Sequence, residues 1–220
     1  LRGDRLDKNG MDDRPLMPTL DRLAAEGFRF DRAYAPSSAS QLSIFSMFAG
    51  LYPGRVVKEG FEAVTLVTDR LAKAGVETRA EYSRGLFTEV PEDFPRFDLG
   101  FTHATAAAWS DAPVERIFES LRPRTNGRWF SWVHLITPHD PYDAACADCR
   151  IEGVPFDAYC GELRHADHLV KDLIASFRDA DHDPVIIVAS DHGEEFHEHG
   201  STHHGTQLYE ESIHVPLVVH

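Results

Sequence analysis

The residues best suited to chemistry stand in one short run, Ser190-Asp191-His192-Gly193, directly after Pro184-Val-Ile-Ile-Val-Ala189. A carboxylate and an imidazole side by side suit a divalent cation, since both are donors that first-row metals accept. The apolar, β-branched run ahead of them reads as a strand buried on both faces. Asp191 and His192 then fall at the carboxyl end of a buried strand, where open α/β sheets place their ligands. Gly193 lets the backbone turn sharply away. A polar turn that merely ends a strand would carry the same letters, so the rest of the chain has to decide.

A second polar strand end supports the first. Trp129 to Ile136 reads as a core strand, and it carries His134 before running into Thr137-Pro138-His139-Asp140-Pro141-Tyr142. The two prolines fix this loop, so His139 and Asp140 are held in place. Upstream, Ala35-Pro36-Ser37-Ser38-Ala39-Ser40-Gln41-Leu42-Ser43 is a small, hydroxyl-rich loop feeding a buried helix over Leu42 to Ala49. Such a junction offers N–H groups and the positive end of a dipole to an anion; serines that simply cap the helix are the plainer reading. On the long helix from Tyr159 to Phe177, the polar members Glu162, His165, Asp167 and His168 read as a solvated face.

Composition narrows the partners. The chain has 220 residues, 42% hydrophobic and 26% charged, which is enough for a substantial core and ordinary for a globular protein. A formal charge of −14 argues against nucleic acid, whose phosphates need a basic face. It leaves room for a small anionic substrate, because a bound metal can invert the local field. Thirteen histidines, six of them between His192 and His214, add a metal signal. No apolar run is long enough to span a bilayer. Of the three cysteines, Cys146-Ala-Asp-Cys149 has the spacing of half a zinc site or a redox pair, and one pair alone selects neither; Cys160 stands apart.

These residues need a scaffold, and helices and strands alternate to supply one. Pro18 to Glu26 reads as a helix closed by Gly27, and Phe28 to Ala35 as a strand. Tyr52-Pro53-Gly54 reads as a turn, Val64 to Ala74 as a helix, Val76 to Tyr82 as a strand and Pro113 to Leu121 as a helix. Val215 to Val219 begins another strand. The expected architecture is α/β: one domain over residues 1–220, with a mostly parallel central sheet and helices on both faces.

The order of the motifs resembles the sulfatase family of the alkaline phosphatase superfamily. The resemblance runs through Pro18-Thr-Leu-Asp-Arg-Leu-Ala-Ala-Glu-Gly27, Ala33-Tyr-Ala-Pro-Ser37 with Ser40, Gly50-Leu-Tyr-Pro53 and Pro138-His-Asp-Pro-Tyr142. It continues through Ser190-Asp-His-Gly-Glu194, Glu198-His-Gly200, His204-Gly205, Leu208-Tyr-Glu210 and Val215-Pro-Leu217. It implies a metal-dependent hydrolase of phosphate or sulfate esters, with Asp191, His192 and Ser40 as metal ligands and Ser40 as the nucleophile. His139 and His204 would contact the ester oxygens or protonate the leaving group, and His134 would join them at the substrate. His199 stands as a further candidate, and sequence leaves the neighbours His203 and His204 interchangeable. One divalent ion is expected, Ca²⁺, Mn²⁺, Mg²⁺ or Zn²⁺, with His204 the first contributor to a second.

Two departures shape that expectation. The sulfatases that oxidise a cysteine or serine to formylglycine carry proline and arginine after it, whereas Ser40-Gln-Leu-Ser-Ile44 has neither. An unmodified hydroxyl and phosphate esters are therefore favoured. A formylglycine sulfatase, a phosphoryl-group transferase and a catalytically inactive anion-binding relative remain the alternatives. The family also places an acid ligand at the end of a strand just before a Leu-Arg pair. Leu1-Arg2 matches the tail of that motif, so the expectation is a catalytic domain without its first strand and its final segments.

Overall fold

The computed structural model describes residues 1–10, 13–83, 99–107, 112–143, 155–180 and 182–220. The elements run α1 (Pro18–Glu26), β1 (Phe28–Arg29), α2 (Ser40–Ala49), α3 (Pro53–Glu59), α4 (Val67–Lys73), β2 (Glu77–Ser83), β3 (His103–Ala107), α5 (Val114–Leu121) and β4 (Trp129–Val133). They continue with α6 (Pro155–Asp179), β5 (Ile187–Ala189), β6 (Glu195–Phe196), β7 (Thr202–His203), α7 (Glu210–Ile213) and β8 (Leu217–Val219). The Cys146-Cys149 pair falls outside the described residues, as does most of the irregular stretch from Glu89 to Gly100.

The chain forms two compact units, one from Leu1–Ala39 with Thr137–His220 and the other from Ser40–Ile136. In the second unit β3, β2 and β4 make a parallel sheet in that order, with Arg79 opposite His103 and Glu77 opposite Trp129. Ala80 and Tyr82 point to one face, where they share a core with Ile44, Phe45 and Phe48 of α2. Arg79 and Ser131, paired in register, face the other way. There the Arg79 guanidinium donates to the Ser120 carbonyl at 2.7 Å and the Ser131 hydroxyl to that of Leu121 at 2.6 Å. These bonds satisfy two of the carbonyls that the end of α5 leaves without helical partners. Helices thus cover both faces of a parallel sheet, the expected α/β arrangement.

The first unit is built differently. Its sheet β1–β8–β5 is antiparallel, with Phe28 and Ile187 both opposite Val219. A two-stranded ribbon, β6 with β7, pairs Glu195 with His203. Helix α1 packs on α6 through Leu16, Leu20, Leu23, Tyr159 and Leu163, with Val218 of β8 beneath. The Pro184–Ala189 run is not buried on both faces. Ile186 and Val188 pack towards this core, but Val185 is 74% and Ile187 62% exposed. The alternation follows from an edge strand of an antiparallel sheet with one face covered.

Gly27 and Gly193 owe their identity to close approach. Neither has a positive φ. A Cβ at Gly27 would collide with the Val219 carbonyl, and one at Gly193 with the Glu211 carbonyl. Gly193 is therefore needed because a neighbouring chain passes against it; the turn itself does not demand glycine.

The polar face assigned to α6 is also corrected. Asp167 is 1% exposed, and both its carboxylate oxygens accept the Thr19 N–H at 3.0 Å while Oδ1 accepts that of Leu20. It caps α1, whose preceding residue Met17 offers no side-chain cap. Glu162 is buried as well and accepts the Thr137 hydroxyl. Of the four residues only His168 is exposed. Among the described residues no helix is long and apolar enough to cross a membrane.

Candidate active site

Strand β5 ends at Ala189, and the chain then folds tightly back on itself. The Ser190 hydroxyl donates to the His192 carbonyl at 2.6 Å, and the His192 N–H donates to Asp191 Oδ1 at 3.0 Å. Next, Gly193 and Glu194 N–H groups donate to the carbonyls of Ser212 and Glu211, both at 2.8 Å. The chain start lies at the same place: the Leu1 nitrogen is 2.7 Å from Ser190 Oγ and 2.8 Å from the His192 carbonyl oxygen. The Arg2 guanidinium bonds Asp4, Glu198 and the Glu194 carbonyl, which pins the segment after His192.

Three imidazoles gather here. The His192 and His204 rings stack with centroids 4.0 Å apart, and His139 meets His204 edge-on at 5.5 Å. Each is held through the same ring atom. His192 Nδ1 lies 2.7 Å from the Gly193 carbonyl oxygen and His139 Nδ1 2.7 Å from that of Asp140. His204 Nδ1 lies 3.1 Å from Glu194 Oε1. Carbonyl and carboxylate oxygens can only accept, so in each neutral ring Nδ1 carries the proton and Nε2 the lone pair.

The charges fit this arrangement. His192 is 7% exposed, and burial lowers its pKa, with the nearby His204 adding to the effect and Asp191 opposing it. A neutral imidazole is the form that binds a metal. Glu194 is 3% exposed. Burial alone would raise its pKa, but the bonds from His204 and Tyr142 outweigh this and hold it below the ordinary glutamate range. Tyr142 is pushed well above the usual phenol range by burial and by the Glu194 carboxylate, so it stays a donor.

This donor set fits part of a divalent cation's coordination sphere. His192 Nε2 lies 3.5 Å from Asp191 Oδ2, close to the separation of two tetrahedral donors with bonds of about 2.0–2.2 Å. The second contact of His192, to a backbone carbonyl, is the outer-shell partner that metal-bound histidines use. Asp191 and His192 thus fit two positions of a coordination sphere. Among the described residues no group of three or more His, Cys, Asp or Glu side chains is clustered tightly enough to hold an ion alone.

Of the residues singled out from sequence, Asp191, His192, His139 and His204 come together in the first unit. His203 is exposed on β7 while its neighbour His204 turns towards His192. His199 goes elsewhere, stacking on Tyr209 at 3.6 Å and lying 2.8 Å from a Glu211 oxygen. Ser40 and His134 belong to the second unit. Ser40 is the first residue of α2 and partly buried. The His134 N–H donates to the Glu81 carbonyl at 2.9 Å, continuing the β2–β4 ladder. Glu194 and Tyr142 had no role assigned. They lie inside the recognised motifs, and a carboxylate two residues after His192 was the available signal.

A family model named Sulfatase matches residues 4–220. The chain belongs to the sulfatase family. A comparison with curated proteins gave no significant match. Among solved structures, this sulfatase-family chain is similar to an integral membrane lipooligosaccharide phosphoethanolamine transferase from Neisseria meningitidis: TM-score 0.73, 17% identity, covering 94% of this chain and 43% of that one. The C-terminal periplasmic domain of EcEptC from Escherichia coli, in complex with zinc, gives a TM-score of 0.70 at 15% identity over 94% of this chain and 66% of that one. A phosphonate monoester hydrolase of Agrobacterium radiobacter gives 0.76 at 15% identity over 99% and 65%. The chain therefore spans less than two thirds of each of these structures. At such identities the likeness establishes the fold.

Proposed function

We propose that this sulfatase-family domain cleaves phosphate esters through a Ser40 ester. The observation that carries the reading is the gathering of Asp191, His192, His139 and His204, with all three rings anchored at Nδ1. A site serving only to end a strand has no use for that uniformity.

Asp191 and His192 would hold a divalent cation, with Ser40 completing the set. When bound, the ion supplies charge compensation at the ester oxygens and makes a serine hydroxyl a better nucleophile. His139, when its Nε2 also carries a proton, and His134 hydrogen-bond the non-bridging oxygens and orient the ester. Ser40 Oγ loses its proton to water and attacks phosphorus, forming the new P–O bond as the bond to the leaving alcohol breaks. The protonated His204 ring gives its Nε2 proton to that alcohol. Water then attacks the Ser40 ester and gives its proton to His204 as the Ser40 Oγ–P bond breaks, and Ser40 Oγ takes back a proton from solvent as phosphate leaves. An acceptor alcohol in place of water makes the same sequence a transfer, which the likeness to a phosphoethanolamine transferase favours as the second reading. Phosphate is preferred to sulfate because Ser40-Gln-Leu-Ser-Ile44 lacks the proline and arginine that accompany formylglycine.

The test is cleavage of aryl phosphate and aryl sulfate esters with added Zn²⁺, Mn²⁺, Mg²⁺ or Ca²⁺. The reading requires metal-dependent phosphate cleavage that chelation abolishes. Sulfate cleavage with a Ser40 peptide lighter by two hydrogens would establish a formylglycine sulfatase. Tight metal binding without turnover of either ester would identify an anion binder.

A further inference from the structure

The three anchored histidines are not anchored alike. His192 and His139 each donate to the carbonyl of the next residue along the chain, so local backbone sets their tautomer. His204 has a distant partner, the side chain of Glu194 on a different segment. That carboxylate is itself fixed: its other oxygen, Oε2, accepts the Tyr142 hydroxyl at 3.0 Å. Tyr142 in turn packs edge-on against Tyr159 at 5.7 Å and lies 5.9 Å from Phe196. One buried carboxylate thus ties together three segments, the 138–142 loop, the turn after β5 and the residues after β7.

We infer that Glu194, clamped by Tyr142, is a positioning residue that holds His204 as the Nδ1–H tautomer and keeps its Nε2 as the working nitrogen. The inference rests on the role given to His204 above. Glu194 touches neither ester nor nucleophile in this scheme and acts only through the ring it holds. An isolated neutral imidazole has no such constraint, and a ring turned or re-protonated presents the wrong nitrogen. The effect is the one a buried carboxylate has on the histidine of an acyl-transfer triad, where it fixes tautomer and orientation.

The experiment is a long-range ¹H–¹⁵N spectrum of the histidines in the whole protein, without substrate, at a pH of about 8.5, above the usual imidazole range. It is recorded alongside steady-state kinetics on an aryl phosphate. Wild type should show His204 protonated at Nδ1. Glu194→Leu should move the proton to Nε2 and lower kcat about 10- to 100-fold, the usual cost of losing such an outer partner, with KM changed less than about two-fold. Glu194→Gln keeps a carbonyl oxygen for Nδ1–H and should retain both the tautomer and most of kcat. Tyr142→Phe, which removes one hydroxyl, should give a mixture of tautomers, and it decides the matter if the leucine variant does not fold. A His204 signal unchanged in Glu194→Leu and Tyr142→Phe overturns the inference, as does a glutamine variant as impaired as the leucine one. Because the spectrum needs no substrate, an inactive wild type would count against the proposed function while the tautomer still decides the positioning.

Discussion

The two compact units hold themselves together by different means. In Ser40–Ile136 the core is aromatic: Phe48 meets Phe101 and Trp132 edge-on at 5.4 and 5.1 Å, and Phe101 stacks on Phe130 and on Trp132 at 5.9 Å. These rings bury large area and prefer such offset or edge geometries. In the other unit, buried acids and bases carry much of the structure. Arg2, Glu162, Arg164, Asp167, His192, Glu194 and Glu195 are all buried. Buried charge is costly unless paired, so each needs a specific partner. The lesson is that the proposed chemistry and the aromatic packing are largely separated along the chain, with Ser40 at the start of α2 and His134 after β4 the exceptions.

That contrast can be broken by substitution. The largest effect should come from Asp191→Ala, which removes a proposed ligand: ester cleavage should fall at least about 10³-fold, with circular dichroism and unfolding midpoint little changed. In the aromatic unit the loss should be of stability. Phe45 is fully buried and meets Phe61 edge-on at 5.0 Å. Phe45→Ala should cost about 3–5 kcal/mol in denaturant unfolding. Should Phe45→Ala leave stability untouched, or Asp191→Ala unfold the protein, the contrast would be wrong.

Smaller changes sharpen it. Asp167→Ala strips the cap from α1 and leaves buried N–H groups unmet, so a loss of about 1–3 kcal/mol is expected, measured by the same unfolding. The weakest effect concerns acid. Burial would raise the Asp4 pKa, but the bonds from Arg5 and Arg2 override it and hold the carboxyl well below its ordinary value. A carboxyl depressed on folding contributes stability that is complete above its unfolded pKa of about 3.9 and is lost as pH falls towards the folded value. Asp4→Asn should therefore lower stability slightly at neutral pH and flatten its decline below pH about 4. An identical acid profile in the variant would remove Asp4 from the account.

Much of this was legible in the sequence, for local reasons. Pro18 at the first turn and Leu20 and Leu23 on one face mark α1 over the same residues the structure gives. The strand ends carrying His139 and Asp191–His192 were visible because apolar runs stop abruptly at polar residues. What stayed hidden depends on partners far away in sequence. Phe28 pairs with Val219, so neither the antiparallel sheet nor the exposure of Ile187 could be read from its own run. Asp167 looked like a solvated helix residue because its target, the start of α1, lies 148 positions earlier. Tyr52-Pro53-Gly54 reads as a turn, although proline equally suits the first position of a helix, and α3 starts at Pro53. Gly193 was expected to serve a sharp turn, whereas the Glu211 carbonyl passing beside it is what excludes a side chain.

The central claim is a covalent Ser40 ester formed at a site held by Asp191 and His192. The most direct measurement is the intact mass of the Ser40 peptide after brief reaction with an aryl phosphate, metal present, and an acid quench. The account predicts a peptide heavier by one phosphoryl group, absent after chelation and in Asp191→Ala. An unmodified Ser40 peptide during sustained, metal-dependent phosphate release would contradict it.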